Sequence, residues 1–289
     1  MTLHWGRMSA SIFRFARVAV AALAVTLCAT PTRADEEPKV WQQLFYPFPI
    51  VGAPPQLEQQ VQVFDSYFRG NQGSGDVLSA ELAYILSPEI GIVATVPFQF
   101  GFDGQTTGFQ DIELLLQGLV AGSIEHDYMI SVGLQGTLPT GREDLSAGSA
   151  YFGLFAYAAK RFFHHLVFEA DVTTLFPISN PESARQVMGA GLVSVLLTPQ
   201  HCDFPVYAQV EVDGTLFYAG SLGLPSGATN APAGTTFVAP EIFLGPFKTP
   251  ISDGTRVAAG VSFDVAGDPA HAQTYTLTVA FDVPNPYGY

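Results

Sequence analysis

Segments in which apolar and polar residues alternate recur along this chain, and this pattern constrains the fold more than any other feature. In residues 274–283, Leu277, Val279 and Phe281 alternate with threonine, alanine and aspartate, and residues 256–265 alternate in the same way. A helix would mix the two sets around its axis, whereas a strand keeps them on opposite faces. The chain is therefore predicted to consist of amphipathic β-strands.

Twelve such segments are predicted, each of roughly ten residues, which is the length of a tilted transmembrane strand. They cover residues 61–69, 77–86, 90–100, 111–120, 129–138, 151–160, 166–173, 187–197, 206–213, 237–247, 256–265 and 274–283. Connections after the even-numbered segments are short, and those after the odd-numbered segments are on average longer and richer in Gly, Pro, Asn and Ser. This contrast between the two ends is typical of outer-membrane barrels.

Composition separates a membrane barrel from a soluble sheet, which would also alternate. Of the 289 residues 48% are hydrophobic and only 13% are charged, which leaves few charges for a water-facing surface. A closed barrel pairs every backbone polar group in lipid. We predict an all-β fold, a single antiparallel up-and-down transmembrane β-barrel of about 12 strands over residues 59–283. A soluble secreted β-protein that binds ligands remains the alternative.

The first 34 residues have the pattern of a secretory signal peptide. Arg7, Arg14 and Arg17 precede an apolar run at residues 18–29, and Ala34 precedes the first acids. The run is too short for a transmembrane helix. We expect cleavage after Ala34 and export to the outer membrane.

Two further segments lie outside the predicted barrel. Residues 35–58 are rich in proline and are predicted to form either a periplasmic tail or a plug inside the barrel. Residues 284–289 are predicted to be a C-terminal tail.

The charge of the chain excludes one class of partner. The first 34 residues contain four Arg and no acid, so the remainder carries 26 acids against eight bases, a formal charge of −18. Such a chain has no basic patch for nucleic acid. After cleavage only Cys202 remains, so no intramolecular disulfide forms.

Most acids of the predicted strands lie on their polar faces, where the barrel would turn them inward. Nine acids and one arginine are predicted to line the lumen: Glu81, Asp111, Glu113, Glu169, Asp171, Glu211, Asp213, Arg256, Asp264 and Asp282. Arg69 and Lys160 are further basic candidates. An acid-rich lumen would favour cations, unless the acids are paired for structure in a plugged lumen.

The sequence offers no pattern for catalysis or for a cofactor. No CxxC, HExxH, GxSxG or phosphate-loop motif is present. His164 and His165 are adjacent and would point to opposite faces of a strand, which makes them a poor metal pair. We expect a protein that is not an enzyme, with a structural role for this pair, and the role of Cys202 stays open.

Several local patterns between residues 75 and 141 resemble one known family. They are the strand openings at 75–77 and 108–112 and the strand-to-turn patterns at 92–98 and 133–141. The stretch resembles the outer-membrane β-barrel family named after the meta-pathway of phenol degradation, whose members are transporter-like.

The resemblance implies a small barrel that passes hydrophobic compounds. The partners expected are outer-membrane lipid, the barrel-assembly machinery and small hydrophobic solutes. We therefore expect an outer-membrane channel or transporter for small solutes, hydrophobic ones included. The alternative is a non-transporting structural or surface-interaction barrel.

Overall fold

The fold is seen in a computed structural model, which describes Pro47 and residues 59–70, 73–87, 89–102, 105–178, 185–198, 204–218, 235–266 and 273–283. The predicted signal peptide, the C-terminal tail and Cys202 lie outside these residues. Of the proline-rich segment at residues 35–58, only Pro47 is described, and its side chain is fully buried. Within the described residues, no helix has the length and apolar character to cross a bilayer.

Within the described residues, thirteen strands form one antiparallel sheet. They are β1 (Gln60–Gly70), β2 (Gly73–Ser87), β3 (Ile90–Phe102), β4 (Gly108–Phe109), β5 (Ile112–Ser123), β6 (Tyr128–Leu138), β7 (Tyr151–Phe162), β8 (Leu166–Pro177), β9 (Arg185–Leu196), β10 (Val206–Tyr218), β11 (Thr235–Phe247), β12 (Thr255–Ala266) and β13 (Gln273–Asp282).

The sheet closes on itself. Each long strand pairs with its neighbours in sequence, β1 pairs with β13, and β2 pairs with both β1 and β3. The two-residue β4 only extends the edge of β3, where Phe98 pairs with Phe109. The prediction of an antiparallel barrel of about 12 strands is confirmed, since twelve long strands close the barrel and β4 is one short addition.

Burial alternates along each strand, so one face of every strand points into the barrel. On β7, Tyr151, Phe155 and Tyr157 are buried, whereas Phe152 and Leu154 between them are exposed, Leu154 to 62%. Residues that pair across neighbouring strands point to the same face of the sheet. Ser131 on β6 and Asp171 on β8 both pair with Tyr157 and therefore also point inward. The two strand faces that the sequence pattern predicted are therefore the inside and the outside of one barrel.

The outer face is apolar and the interior is largely polar. Leucine, valine, isoleucine and phenylalanine dominate the exposed set, while the buried set contains many Gln, Ser, Thr and Glu side chains. In a water-soluble protein this order is reversed, and so large an exposed apolar surface suits contact with lipid.

The chain enters β1 and leaves β13 at the same end of the barrel, since Gln60 pairs with Asp282; we call it the termini end and the opposite end the loop end. The turn between β7 and β8 at the termini end is short, and its residues Phe163, His164 and His165 are exposed. Phe163 and His164 have positive φ values of 52° and 61°, a conformation that histidine adopts more readily than most residues. The histidine pair therefore lies in the turn between β7 and β8 and not on a strand.

Aromatic pairs lie near both ends of the barrel. At the termini end Phe204 stacks on Phe247 at 4.4 Å between ring centroids, and Phe162 meets Phe168 edge-on at 5.6 Å. At the loop end Phe98 meets Phe109 edge-on at 4.8 Å. Such positions are typical of aromatic girdles at the two membrane interfaces.

Candidate functional site

The barrel encloses a cavity of about 800 Å³, and all twelve long strands contribute to its wall. Most of the lining residues come from the loop-end half of their strands, such as Asp213 and Thr215 on β10. On β3 the lining extends further toward the termini end, to Val93 and Thr95. At the termini end the inward side chains are buried and do not line the cavity. They include two apolar clusters, one around Met129, Phe155 and Val167 and the other around Tyr207 and Phe243.

One acidic pair lies on the wall formed by β2, β3 and β5. Register places Thr95 between Glu81 and Glu113, with all three pointing inward. Thr95 Oγ1 donates a hydrogen bond of 3.2 Å to Oε2 of Glu81. Glu81 is only 5% exposed, and its Oε1 has no hydrogen-bond partner. A buried carboxylate oxygen without a donor is costly, and this one belongs to a side chain that lines the cavity.

A second acidic pair lies on the wall formed by β8, β9 and β10. Register places Ala190 between Asp171 and Asp213, and all three line the cavity. One carboxylate oxygen of Asp213, Oδ2, is buried without a hydrogen-bond partner. The two acidic pairs face each other almost directly, because four strands separate β3 from β9 on one side of the barrel and six on the other.

Other residues predicted to line the lumen share the inward parity and lie outside the cavity. Glu169 accepts a hydrogen bond of 2.7 Å from the hydroxyl of Tyr157. Arg256 is 3.1 Å from Oε1 of Gln60 and 2.8 Å from Oδ1 of Asp282, so this arginine is held at the termini end. Glu211 and Asp264 also have the inward parity, and neither lines the cavity.

Sequence reasoning missed Glu241, another buried inward acid. Gln209 on β10 donates a hydrogen bond to Oε2 of Glu241 on β11, and Ser194 on β9 bonds to Gln209 in turn. The neighbours Ala239 and Phe243 share the inward parity of Glu241. This parity could have identified Glu241 as an inward acid from the sequence. The alternation is hard to read on β11, because the strand contains Pro240 and the Gly245–Pro246 pair and has a register shift near its end.

Asp111 differs from the other predicted acids. It lies just before β5 and accepts hydrogen bonds from two backbone N–H groups of the loop between β6 and β7, that of Gly141 at 2.9 Å and that of Ala147 at 2.8 Å. Leu145 and Ala147 of this loop line the cavity. Asp111 therefore anchors a loop that forms part of the cavity wall at the loop end.

A second set of contacts holds the same loop against β4 and the residues just before it. The backbone N–H of Arg142 donates to the carbonyl of Phe109 at 2.9 Å, and its guanidinium donates to the carbonyl of Thr107 at 3.0 Å. Asp144 accepts a hydrogen bond of 2.6 Å from Thr106 and pairs with Arg142 at 3.0 Å. The Thr106 hydrogen bond, with a smaller contribution from the arginine, lowers the pKa of Asp144 below its usual value.

No lysine, arginine or histidine lines the cavity in the described part of the barrel. Lys160, predicted as a basic candidate for the lumen, points outward with Leu154 and lies over the rings of Tyr128 and Phe162. Arg69 also has the outward parity, that of Tyr67. Among the described residues no group of three or more His, Cys, Asp or Glu could hold a metal ion.

The closed antiparallel barrel with an apolar exterior is the fold of outer-membrane β-barrels, and solved structures share it. The chain is similar to the NanC porin at 8% identity and a TM-score of 0.54, with 77% of this chain and 99% of that chain covered. It is also similar to an outer-membrane channel from Pseudomonas putida F1 at 13% identity and a TM-score of 0.53, with 82% and 99% covered. No protein-family model matches the chain, and no curated protein matches it.

Proposed function

We propose that this chain is an outer-membrane channel or transporter that admits small solutes, hydrophobic ones included, into the cavity of its barrel. The single observation that carries the proposal is the cavity of about 800 Å³ to which every long strand contributes. A volume of this size accommodates a small organic molecule. The two solved barrels of the same fold are a porin and a channel by their names, which supports the same role here.

The lining chemistry supports a solute with substantial apolar surface. Val77, Val93, Leu115, Leu175 and Met188 are spread over five strands of the wall, and Phe64 and Phe237 face the cavity from two more. Apolar walls with a few polar groups are typical of small-molecule sites. This agrees with the resemblance to the family named after the meta-pathway of phenol degradation, whose members are thought to pass hydrophobic compounds.

The buried side chains at the termini end argue against a wide water-filled pore. Large porins leave an aqueous channel along the whole barrel, whereas here Phe243, Met129, Gln62 and Gln117 are fully buried in the interior. We therefore expect a narrow route with low ionic conductance, and solute flux is the more informative measurement.

Flux into liposomes tests the proposal with a matched pair of variants. Ala190 lines the cavity, and Ala170 lies on the neighbouring strand β8 with its side chain outward. Ala190→Trp places a large ring in the cavity and should reduce the flux of small aromatic solutes, whereas Ala170→Trp adds the same ring to the lipid-facing side and should leave flux unchanged. Equal flux for both variants and the parent protein would contradict transport through this cavity.

The second candidate is a structural barrel without transport. The observation that favours it is the buried interior of the termini end, which would close the barrel to solutes. Liposomes that contain the folded protein would then show no more flux than protein-free liposomes.

A further inference from the structure

We propose that the cavity binds solutes that combine an apolar body with a positively charged amine. This inference deepens the proposed function, because it names the class of solute that the same cavity would take. It depends on three properties of the wall: two acidic pairs on nearly opposite sides, buried carboxylate oxygens that lack donors, and the absence of basic side chains among the described lining residues.

The observation that supports the proposal most strongly is the state of the Glu81 carboxylate, which is buried and only partly hydrogen-bonded. Its Oε2 accepts a hydrogen bond from Thr95, while Oε1 is buried and has no partner. A carboxylate removed from water favours a cation that donates a hydrogen bond, since a charged donor both satisfies the oxygen and offsets the charge. Glu113 lies two strands away on the same wall, about 10 Å from Glu81 between Cα atoms, so a second carboxylate adds to the negative potential there.

The opposite wall repeats the arrangement. Asp171 and Asp213 flank the small side chain of Ala190, and all three residues line the cavity. Asp213 Oδ2 is likewise buried without a hydrogen-bond partner. Each pair therefore offers an acceptor for an ammonium group that enters the cavity.

Neighbouring cations do not neutralise these acids within the described residues. Arg256 is occupied at the termini end by Asp282 and Gln60, and Arg142 by Asp144 and Thr107 at the loop. Asp111, the fifth acid of the wall, accepts two backbone N–H groups and serves the loop. The four remaining acids are the ones that face the cavity without a basic side chain in its wall.

The body of the solute would rest on the apolar part of the same wall. Val93 and Leu115 adjoin Thr95 and Glu113 on β3 and β5, and Met188 adjoins Ala190 on β9. A free metal ion or a small inorganic cation would leave this surface unused. A primary amine on an aromatic or aliphatic body uses both components of the wall.

The test measures binding separately from transport. Phenethylamine, which is protonated at neutral pH, is compared with its uncharged analogue 2-phenylethanol by titration calorimetry on the full-length folded barrel in a neutral detergent. We expect the amine to bind about tenfold more tightly than the alcohol, as one charge-assisted hydrogen bond would produce. Equal affinity of the two compounds would overturn the proposal.

Two isosteric variants locate the binding. Glu81→Gln and Asp213→Asn keep side-chain shape and remove charge, and each should reduce amine affinity several-fold without changing alcohol affinity. Glu125→Gln, in the exposed turn before β6, is the matched control and should change neither. Heat-dependent gel migration confirms that each variant is folded. Amine affinity that is unchanged in both cavity variants would also overturn the proposal.

Flux of the two compounds into liposomes separates this inference from the proposed function. Selective binding of the amine without flux of either compound would support the site and contradict transport. Flux of both compounds at equal rates, without selective binding, would support transport and contradict the site.

Discussion

Asp111 accepts a hydrogen bond of 2.9 Å from the backbone N–H of Gly141, 30 residues further along the chain. The same carboxylate accepts the N–H of Ala147 at 2.8 Å through its other oxygen. In return, the hydroxyl of Thr140 accepts the N–H of Ile112 at 3.0 Å. Two of the four patterns that carry the family resemblance, at residues 108–112 and 133–141, are therefore held together by these hydrogen bonds at the loop end of the barrel.

Replacing Asp111 should release the loop between β6 and β7. Asp111→Ala removes the acceptor of two backbone N–H groups, and a hydrogen bond to a charged group contributes about 1.5–3 kcal/mol. Limited trypsin digestion in detergent monitors this, because Arg142 lies in the loop. We expect cleavage after Arg142 to become faster in Asp111→Ala and to stay at the parent rate in the turn variant Glu125→Ala. Unchanged cleavage in Asp111→Ala would show that the carboxylate does not hold the loop.

The pKa of Asp144 should show whether the hydrogen bond between Thr106 and Asp144 helps to hold this loop in place. Thr106 donates a hydrogen bond to its carboxylate, which lowers its pKa below the usual 3.8. Because the folded-state pKa is depressed, the interaction is fully present above the unfolded value and is lost as the pH falls through the folded value.

Carbon NMR of the Asp144 carboxyl group measures this directly. We expect a midpoint below 3.8 in the parent protein and a midpoint that returns toward 3.8 in Thr106→Val. A midpoint at or above 3.8 in the parent protein would contradict the hydrogen bond.

Two ion pairs at the termini end should differ strongly in their effect on stability. Arg256 is only 3% exposed and pairs with Asp282 at 2.8 Å, whereas Lys248 and Asp253 pair at 2.9 Å with exposures of 80% and 83%. Arg256→Met leaves Asp282 and Gln60 without this cation, and we expect a loss of about 2–3 kcal/mol, less than for a fully buried pair because the Asp282 side chain is 38% exposed. Lys248→Met should cost less than about 1 kcal/mol, as exposed pairs do. Urea unfolding in detergent, followed by fluorescence, compares the two; equal losses would refute the difference in burial as the cause.

The proline-rich segment at residues 35–58 should affect conductance if it is the predicted plug. Pro47 is fully buried, whereas a solvated tail would leave it exposed. We expect deletion of residues 35–56 to raise single-channel current in planar bilayers. Unchanged current would support the tail instead.

The sequence predicted the barrel well where alternation is regular. On β8, β10, β12 and β13 each inward acid that was predicted, such as Asp171 and Asp213, has the inward parity in the structure. Alternation is a local property with a period of two, so a single strand is enough to reveal it. Bulged or proline-containing strands lose this signal, which is why Glu241 on β11 was missed.

Contacts between distant loops were beyond sequence reasoning. Asp111 was predicted to belong to a strand and to line the lumen. It lies just before β5, and its hydrogen bonds with Gly141 and Ala147 depend on how two loops meet. The short β4 and the outward position of Lys160 likewise depend on register and tilt, which are set by the closed barrel as a whole.

Solute flux into liposomes measures whether the cavity of the barrel passes small solutes across a bilayer. Full-length protein is folded into liposomes, and the entry of a small aromatic solute is followed over time against protein-free liposomes and against liposomes with the Ala190→Trp variant. We expect entry above the protein-free rate in the parent protein and slower entry when the tryptophan occupies the cavity. Entry at the protein-free rate, with the barrel shown to be folded by its heat-dependent gel migration, would contradict this expectation.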